Sequence, residues 1–182
     1  MKKPFTSGIF WGILFLLLHS CSEPQDFDQY DDLDIVPAFE ASIFYLESPE
    51  DLINSLGDAD FFSRDFNFDA FSENVFADRV IEGTLTYEVE NTTSKPLEIT
   101  IEFLDEANNV LDTETFSIDP GPTALLQREV AYGNSGRSIE IIRNTSGIRL
   151  RGSNLGDSTS TSTLPEPMVK LRSSGEFRVR IK

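Results

Sequence analysis

Histidine, tryptophan and cysteine each occur once in 182 residues, as His19, Trp11 and Cys21. Beyond residue 21 none of them recurs. Histidine titrates near neutral pH and is the commonest metal ligand. Without it, residues 22–182 hold no Ser-His-Asp triad. Lacking both histidine and thiol, they offer no ordinary zinc site and no cysteine nucleophile. A lone cysteine also has no partner for an internal disulfide. Carboxylates, lysine, arginine and tyrosine remain for acid–base work, and paired carboxylates can hydrolyse glycosides. No acid pair in an aromatic cleft stands out, and no tryptophan is left to form a sugar platform. No cofactor and no metal site is called for.

Basic charge is also scarce, and unevenly so. The chain carries a formal charge of −16. Residues 22–119 hold 26 acidic and 3 basic side chains, whereas residues 120–182 hold 5 acidic and 10 basic ones. Nucleic acid needs a basic footprint, so it is excluded as a partner for the chain as a whole. The asymmetry has two readings. Acidic and basic strands pair within the sheets, where opposite charges across a ladder stabilise modestly, or the field guides a partner.

Lys2 and Lys3 precede a ten-residue apolar run from Ile9 to Leu18, followed by His19, Ser20 and Cys21. A charged start, a short apolar core and a small residue before a cut mark an export signal. Ten residues fall well short of the ~20 that span a bilayer. Leu18, three before the cysteine, and Ser20, one before it, resemble the lipobox of bacterial lipoproteins, while His19 departs from it. The resemblance implies a signal peptide over 1–20 and a Cys21 that becomes the acylated first residue, bearing palmitate-type chains. The alternative is an ordinary signal with an incidental cysteine. Each buried CH₂ adds about 0.8 kcal/mol of membrane affinity, and stable anchoring takes more than one chain. Two or three chains, as the family carries, meet that need. Ser22 rather than Asp after the cysteine implies release to the outer membrane in enterobacterial-type lipoproteins. The acidic stretch from Glu23 to Asp34 resembles the surface-export tethers of Bacteroidota-type lipoproteins, and reads equally as a solvated linker. The periplasmic and surface faces both stay open.

Four parts are expected: signal peptide 1–20, acylated acidic tether 21–36, an N-terminal segment 37–78, and a β-sandwich core 79–182. Aromatic and β-favouring residues over 39–46 predict a strand. Ser48-Pro49-Glu50-Asp51 predicts a helix start capped by Ser48, with Leu52, Ile53 and Leu56 as its stripe and Gly57 as its end. Ile81, Leu85, Tyr87 and Val89 alternate with polar residues, as do Leu97, Ile99, Ile101 and Phe103. Further strands are expected over 110–118, 123–132, 137–143, 147–151, 169–172 and 176–182, with 152–163 as a loop.

Three local patterns invite a functional reading. Phe61, Phe62, Phe66, Phe68, Phe71 and Phe76 crowd one segment. They either pack the N-terminal part onto the main body or, for Phe61, Phe62, Phe66, Phe68 and Phe71, form a protein-docking surface. Asp65-Phe66-Asn67-Phe68-Asp69 opens like a calcium loop, but Ala70 and Phe76 stand where glycine and glutamate are needed. Asp157-Ser158-Thr159 resembles the O-glycosylation sequon of exported Bacteroidota-type proteins, which makes Ser158 a candidate modification site.

Short strands with turns between them predict an all-β chain, an antiparallel β-sandwich with one short N-terminal helix. The stretch from Gly83 to Gly121, with Asn91-Thr92-Thr93 and Pro120-Gly121, resembles small immunoglobulin-like domains of bacterial envelope proteins, which implies that topology and no activity. The expected role is a membrane-anchored, non-enzymatic binding or scaffold component of the cell envelope, partnered by the lipid membrane and another envelope protein. A surface lipoprotein binding glycan or calcium is the alternative, and a carboxylate-based hydrolase a third reading.

Overall fold

The computed structural model describes residues 33–181 apart from 58, 69, 72, 124 and 135. Cys21, the apolar run and most of the acidic tether lie outside the described residues. Among the described residues eight strands follow one another: β1 (Ala38–Pro49), β2 (Phe62–Asn67), β3 (Val80–Asn91), β4 (Leu97–Leu104), β5 (Val110–Ile118), β6 (Leu126–Tyr132), β7 (Gly147–Asn154) and β8 (Met168–Val179). Three short helices interrupt them: α1 (Glu50–Leu56), α2 (Asn74–Ala77) and α3 (Ile139–Asn144).

The strands form two four-stranded sheets, ordered β1-β8-β3-β6 and β2-β7-β4-β5. Within them β4 pairs with β5, β3 with β6, β2 with β7 and β1 with β8, all antiparallel. Residues 38–179 thus form one long antiparallel hairpin rolled so that successive strand pairs alternate between sheets. That arrangement is a jelly roll. The immunoglobulin-like expectation is corrected here, since that fold keeps its first two strands adjacent in one sheet, whereas β1 and β2 lie in different sheets. Alternation and turn chemistry locate strands but do not say which sheet each one joins. Residues 38–67 contribute an edge strand to each sheet.

Period-two alternation builds the core. Leu97, Ile99, Ile101 and Phe103 of β4 point inward, as do Leu85, Tyr87 and Val89 of β3, and all are buried. Each such side chain, fully buried, contributes about 1.5–3 kcal/mol. The expected phase fails at the start of β3. A register shift between Val80 and Glu82 buries Val80 and leaves Ile81 half-exposed.

Other local expectations also change. Residues 137–143 form no strand. Ser138 accepts the Glu140 N–H and caps α3, Ile142 is buried, and the Arg143 side chain donates to the carbonyl of Val80. Ile-Glu-Ile alternates like a strand, but the capping serine wins. Residues 169–172 and 176–182 belong to one continuous strand that ends at Val179. Helix α1 ends at Gly57 (φ +61°), yet Ser48 does not cap it, and its buried hydroxyl has no partner among the described residues.

Candidate functional site

The phenylalanine segment is divided between core and rim. Phe61 and Phe71 are buried, while Phe62, Phe66, Phe68 and Phe76 are partly buried against the core. Phe71 and Phe76 meet Phe177 edge-on at 5.0 and 5.2 Å, and Phe68 meets Phe71 at 4.5 Å. Such edge-to-face rings add about 0.5–1.5 kcal/mol beyond burial. Phe61 and Phe71 therefore present no surface to a partner in this fold, and only Phe62, Phe66 and Phe68 of the five keep partial exposure. Asp65 sits in β2, where both its oxygens accept from Arg149, at 2.9 and 3.0 Å. This guanidinium holds the Asp65 carboxyl below its ordinary range. Among the described residues no three acids, histidines or cysteines converge in a metal-like group.

Ser158 is exposed on the β7–β8 loop, and that loop is held by a polar clasp that sequence reasoning missed. Lys95, in the β3–β4 turn, is fully buried. Its Nζ donates to Asp157 Oδ1 (3.0 Å), the Ser160 carbonyl (2.8 Å) and Ser160 Oγ (2.7 Å). Asp157 also accepts the N–H groups of Ser160 (2.6 Å) and Thr159 (2.7 Å). Those backbone bonds, with Lys95, hold its carboxyl far below the usual carboxylate range. Beside them lies Glu50, 2 % exposed. It accepts from the N–H and hydroxyl of Ser94 (2.5 and 2.6 Å) and from the N–H of Ser162 (2.8 Å). Glu50 thus serves as an anchor for two loops rather than as a helix-dipole acid. Lys95 was the available signal, the single lysine between Lys3 and Lys170. The three contacts of the Lys95 Nζ fasten Ser160 and Asp157 of the β7–β8 loop to the β3–β4 turn.

A second constellation closes the side where β5 and β6 stand at neighbouring sheet edges. Arg137 pairs with both Asp112 and Glu114, and Arg128 reaches Glu114 at 3.1 Å while lying 4.4 Å over the Phe116 ring. Tyr132 donates to Asp112 at 2.9 Å. The Tyr87 hydroxyl, fully buried nearby, has no partner among the described residues, and burial pushes its pKa far up. Both carboxylates are engaged with guanidinium groups, unlike a glycosidase pair with room for substrate between them.

Part of the charge asymmetry is met within the sheets. Glu82 pairs with Arg178, and Asp65 and Glu102 with Arg149, joining acids of the first half to bases of the second. At one end of the sandwich lies an open concavity of about 650 Å³, lined by Asn74, Asp78, Asp105, Glu106, Glu140 and Asn144 among others.

No family model matches the chain, and no curated protein sequence matches it. Solved structures resemble it loosely. The infectious bursal disease virus VP2 subviral particle is 15% identical over 80% of this chain, with a TM-score of 0.37. The chain spans only 33% of that VP2 chain. Desmodium yellow mottle tymovirus is 10% identical over 82% of this chain and 89% of its own, with a TM-score of 0.36. A Bacillus endospore appendage protein, from disulfide-linked pili, is 8% identical over 80% and 89%, also with a TM-score of 0.36. Likeness at this level carries no argument about function.

Proposed function

We propose that this chain is an outer-membrane lipoprotein, anchored by acyl chains on Cys21, whose β-sandwich acts as a non-enzymatic binding or scaffold component of the cell envelope. The carrying observation is the order of Lys2-Lys3, the Ile9–Leu18 run, Leu18 and Ser20 at lipobox spacing before Cys21, and an acidic stretch leading to the domain. An anchor followed by a charged spacer suits a domain that works on neighbours in the envelope. The lack of histidine and thiol after Cys21, and the engagement of Lys95, Asp112 and Glu114 in ion pairs, support a binding role over a catalytic one.

Metabolic labelling with a palmitate analogue tests the anchor. Wild-type protein takes up label and fractionates with the outer membrane, and Cys21→Ser loses both. Unlabelled wild-type protein overturns the anchor. Purification in gentle detergent tests the binding role, and recovery only as a free monomer counts against it. Protease shaving of intact cells decides between the surface and periplasmic faces.

The open concavity favours a second reading, in which the domain captures a surface ligand. Amides and carboxylates such as Asn74, Asp78 and Asn144, with the Glu140–Arg143 pair beside them, suit the hydroxyls of a glycan. Calorimetry with a glycan panel tests it, and flat traces remove it.

A further inference from the structure

Among the described residues four strands stand at sheet edges, β1 and β6 in one sheet and β2 and β5 in the other. An edge strand offers unpaired backbone N–H and C=O groups to any incoming strand, and proteins usually blunt it with charge, proline or shortness. β5 and β6 are bridged by Arg137 and Arg128. β2 has only 6 residues. β1 has 12, with no lysine, arginine or glycine and no proline before its last residue. Its first stretch, Ala38 to Ser42, is exposed throughout, with Phe39 at 53%.

One interaction on this edge is unbalanced. Glu40 stands directly opposite Glu176 across the β1–β8 ladder, and like charges placed so repel. The nearest basic position on β8, Arg178, is paired with Glu82. Elsewhere the same sheet sets acid against base. Across β3 and β8, Glu82 faces Arg178, Glu88 faces Arg172 and Glu90 faces Lys170. The free side of Glu40 is the place where a further strand would supply the missing cation.

We propose that the free edge of β1 is a strand-addition site, taking an extended segment of another protein that carries lysine or arginine beside Glu40. Backbone bonds give such a complex its affinity, and alternate side chains give its specificity. Apolar side chains of the segment fall beside Phe39 and Ala41, and its basic ones on the face of Glu40 and Glu176. A second copy of this chain is the wrong partner, because pairing β1 with β1 adds carboxylates and no cation. The register shift between Ser42 and Phe44 ends the straight stretch, so the docked segment is short. This inference rests on the binding reading above and names the edge used.

The test is residue-resolved hydrogen–deuterium exchange on the full chain in detergent, with synthetic peptides as probes. A Lys-Val-Lys-Val-Lys-Val peptide is expected to slow exchange over residues 38–42 at least tenfold at saturation. A Glu-Val repeat and a proline-interrupted basic peptide leave it unchanged. Glu40→Lys, an exposed substitution that sets a cation against Glu176, abolishes the preference for the basic peptide. No slowing of the wild type by the basic peptide, equal slowing of it by the basic and acidic peptides, or an unaltered preference in Glu40→Lys overturns the proposal. Purification of wild type and Glu40→Lys separates the two readings. An envelope partner retained equally by both overturns the edge and leaves the binding role standing. A peptide footprint on β1 with no partner for either supports the edge and counts against the envelope role.

Discussion

The ring of Phe177 lies across Gly83 on the neighbouring strand, so a Cβ at Gly83 would stand 2.6 Å from its Cδ1 atom. Gly175, two residues earlier on β8, leaves the same ring room on its other side. The two glycines create the slot, and Phe71 and Phe76 close it in T-shaped contact with the same ring. The N-terminal phenylalanine segment is therefore fastened to the last strand through one aromatic ring.

Filling that slot should cost stability. Gly83→Val displaces the Phe177 ring and is expected to destabilise the domain by about 1–3 kcal/mol, the usual range for overpacking. Phe177→Ala removes the ring and leaves a cavity, with an expected loss of about 3–5 kcal/mol. Urea denaturation measures both. A Gly83→Val midpoint equal to wild type would show that the ring relocates without strain.

The clasp makes a local prediction. Lys95→Met removes the donor shared by Asp157 and Ser160 and leaves the Ser160 carbonyl and hydroxyl to water. Hydrogen bonds to charged groups contribute about 1.5–3 kcal/mol each, but Asp157 is 59% exposed, so water replaces part of that. An overall loss of about 2 kcal/mol is expected, together with new protease cleavage within residues 155–162. Unchanged cleavage there would mean that the loop is held by Glu50 alone.

Strand positions in β4 and β5 were legible because alternation is unambiguous when one face is buried and turn residues bound the run. The phase of β3 was not, since a bulge near Ile81 is set by the partner strand. Ile139 to Arg143 failed because five residues suit either period and only the cap at Ser138 decided. The sheet order was illegible, because rolling a hairpin into a jelly roll depends on long-range pairings that no local pattern encodes. The clasp joins Glu50, Lys95 and Asp157 from three distant segments, and nothing in their spacing announces it. The crowding of Phe61 to Phe76 read as either packing or docking, and burial alone divides it between core and rim.

Acid should loosen the clasp. Burial pushes the Glu50 carboxyl up, but the bonds from Ser94 and Ser162 and the Lys95 charge outweigh it, leaving a net lowering. A group with a depressed native pKa contributes stability above its unfolded value, near about 4.3 for Glu. That contribution is lost as pH falls through the native value. Glu50→Gln carries no such titration. Urea midpoints from pH 7 down to 3 should fall more steeply for wild type than for Glu50→Gln, although the variant is less stable at neutral pH. Asp157, Asp65 and Asp105, whose carboxyls are also lowered, titrate in both proteins, so the difference isolates Glu50. Parallel curves would remove Glu50 as the acid-sensitive group.

The ion cluster between β5 and β6 should behave as a unit. Arg137 touches both Asp112 and Glu114, and the Glu114 side chain is only 4% exposed. Removing one partner of a buried pair leaves an uncompensated charge and costs about 3–5 kcal/mol. Arg137 is 40% exposed and Arg128 still reaches Glu114, so Arg137→Met is expected near the bottom of that range, about 3 kcal/mol. Glu114→Gln alone should cost less, because the amide keeps an acceptor for Arg128. In the double variant removal of Arg137 no longer leaves a buried Glu114 carboxylate behind, so its loss should fall short of the sum of the two single losses by about 1–2 kcal/mol. Strict additivity in that cycle would mean that solvent, rather than Glu114, carries the charge of Arg137.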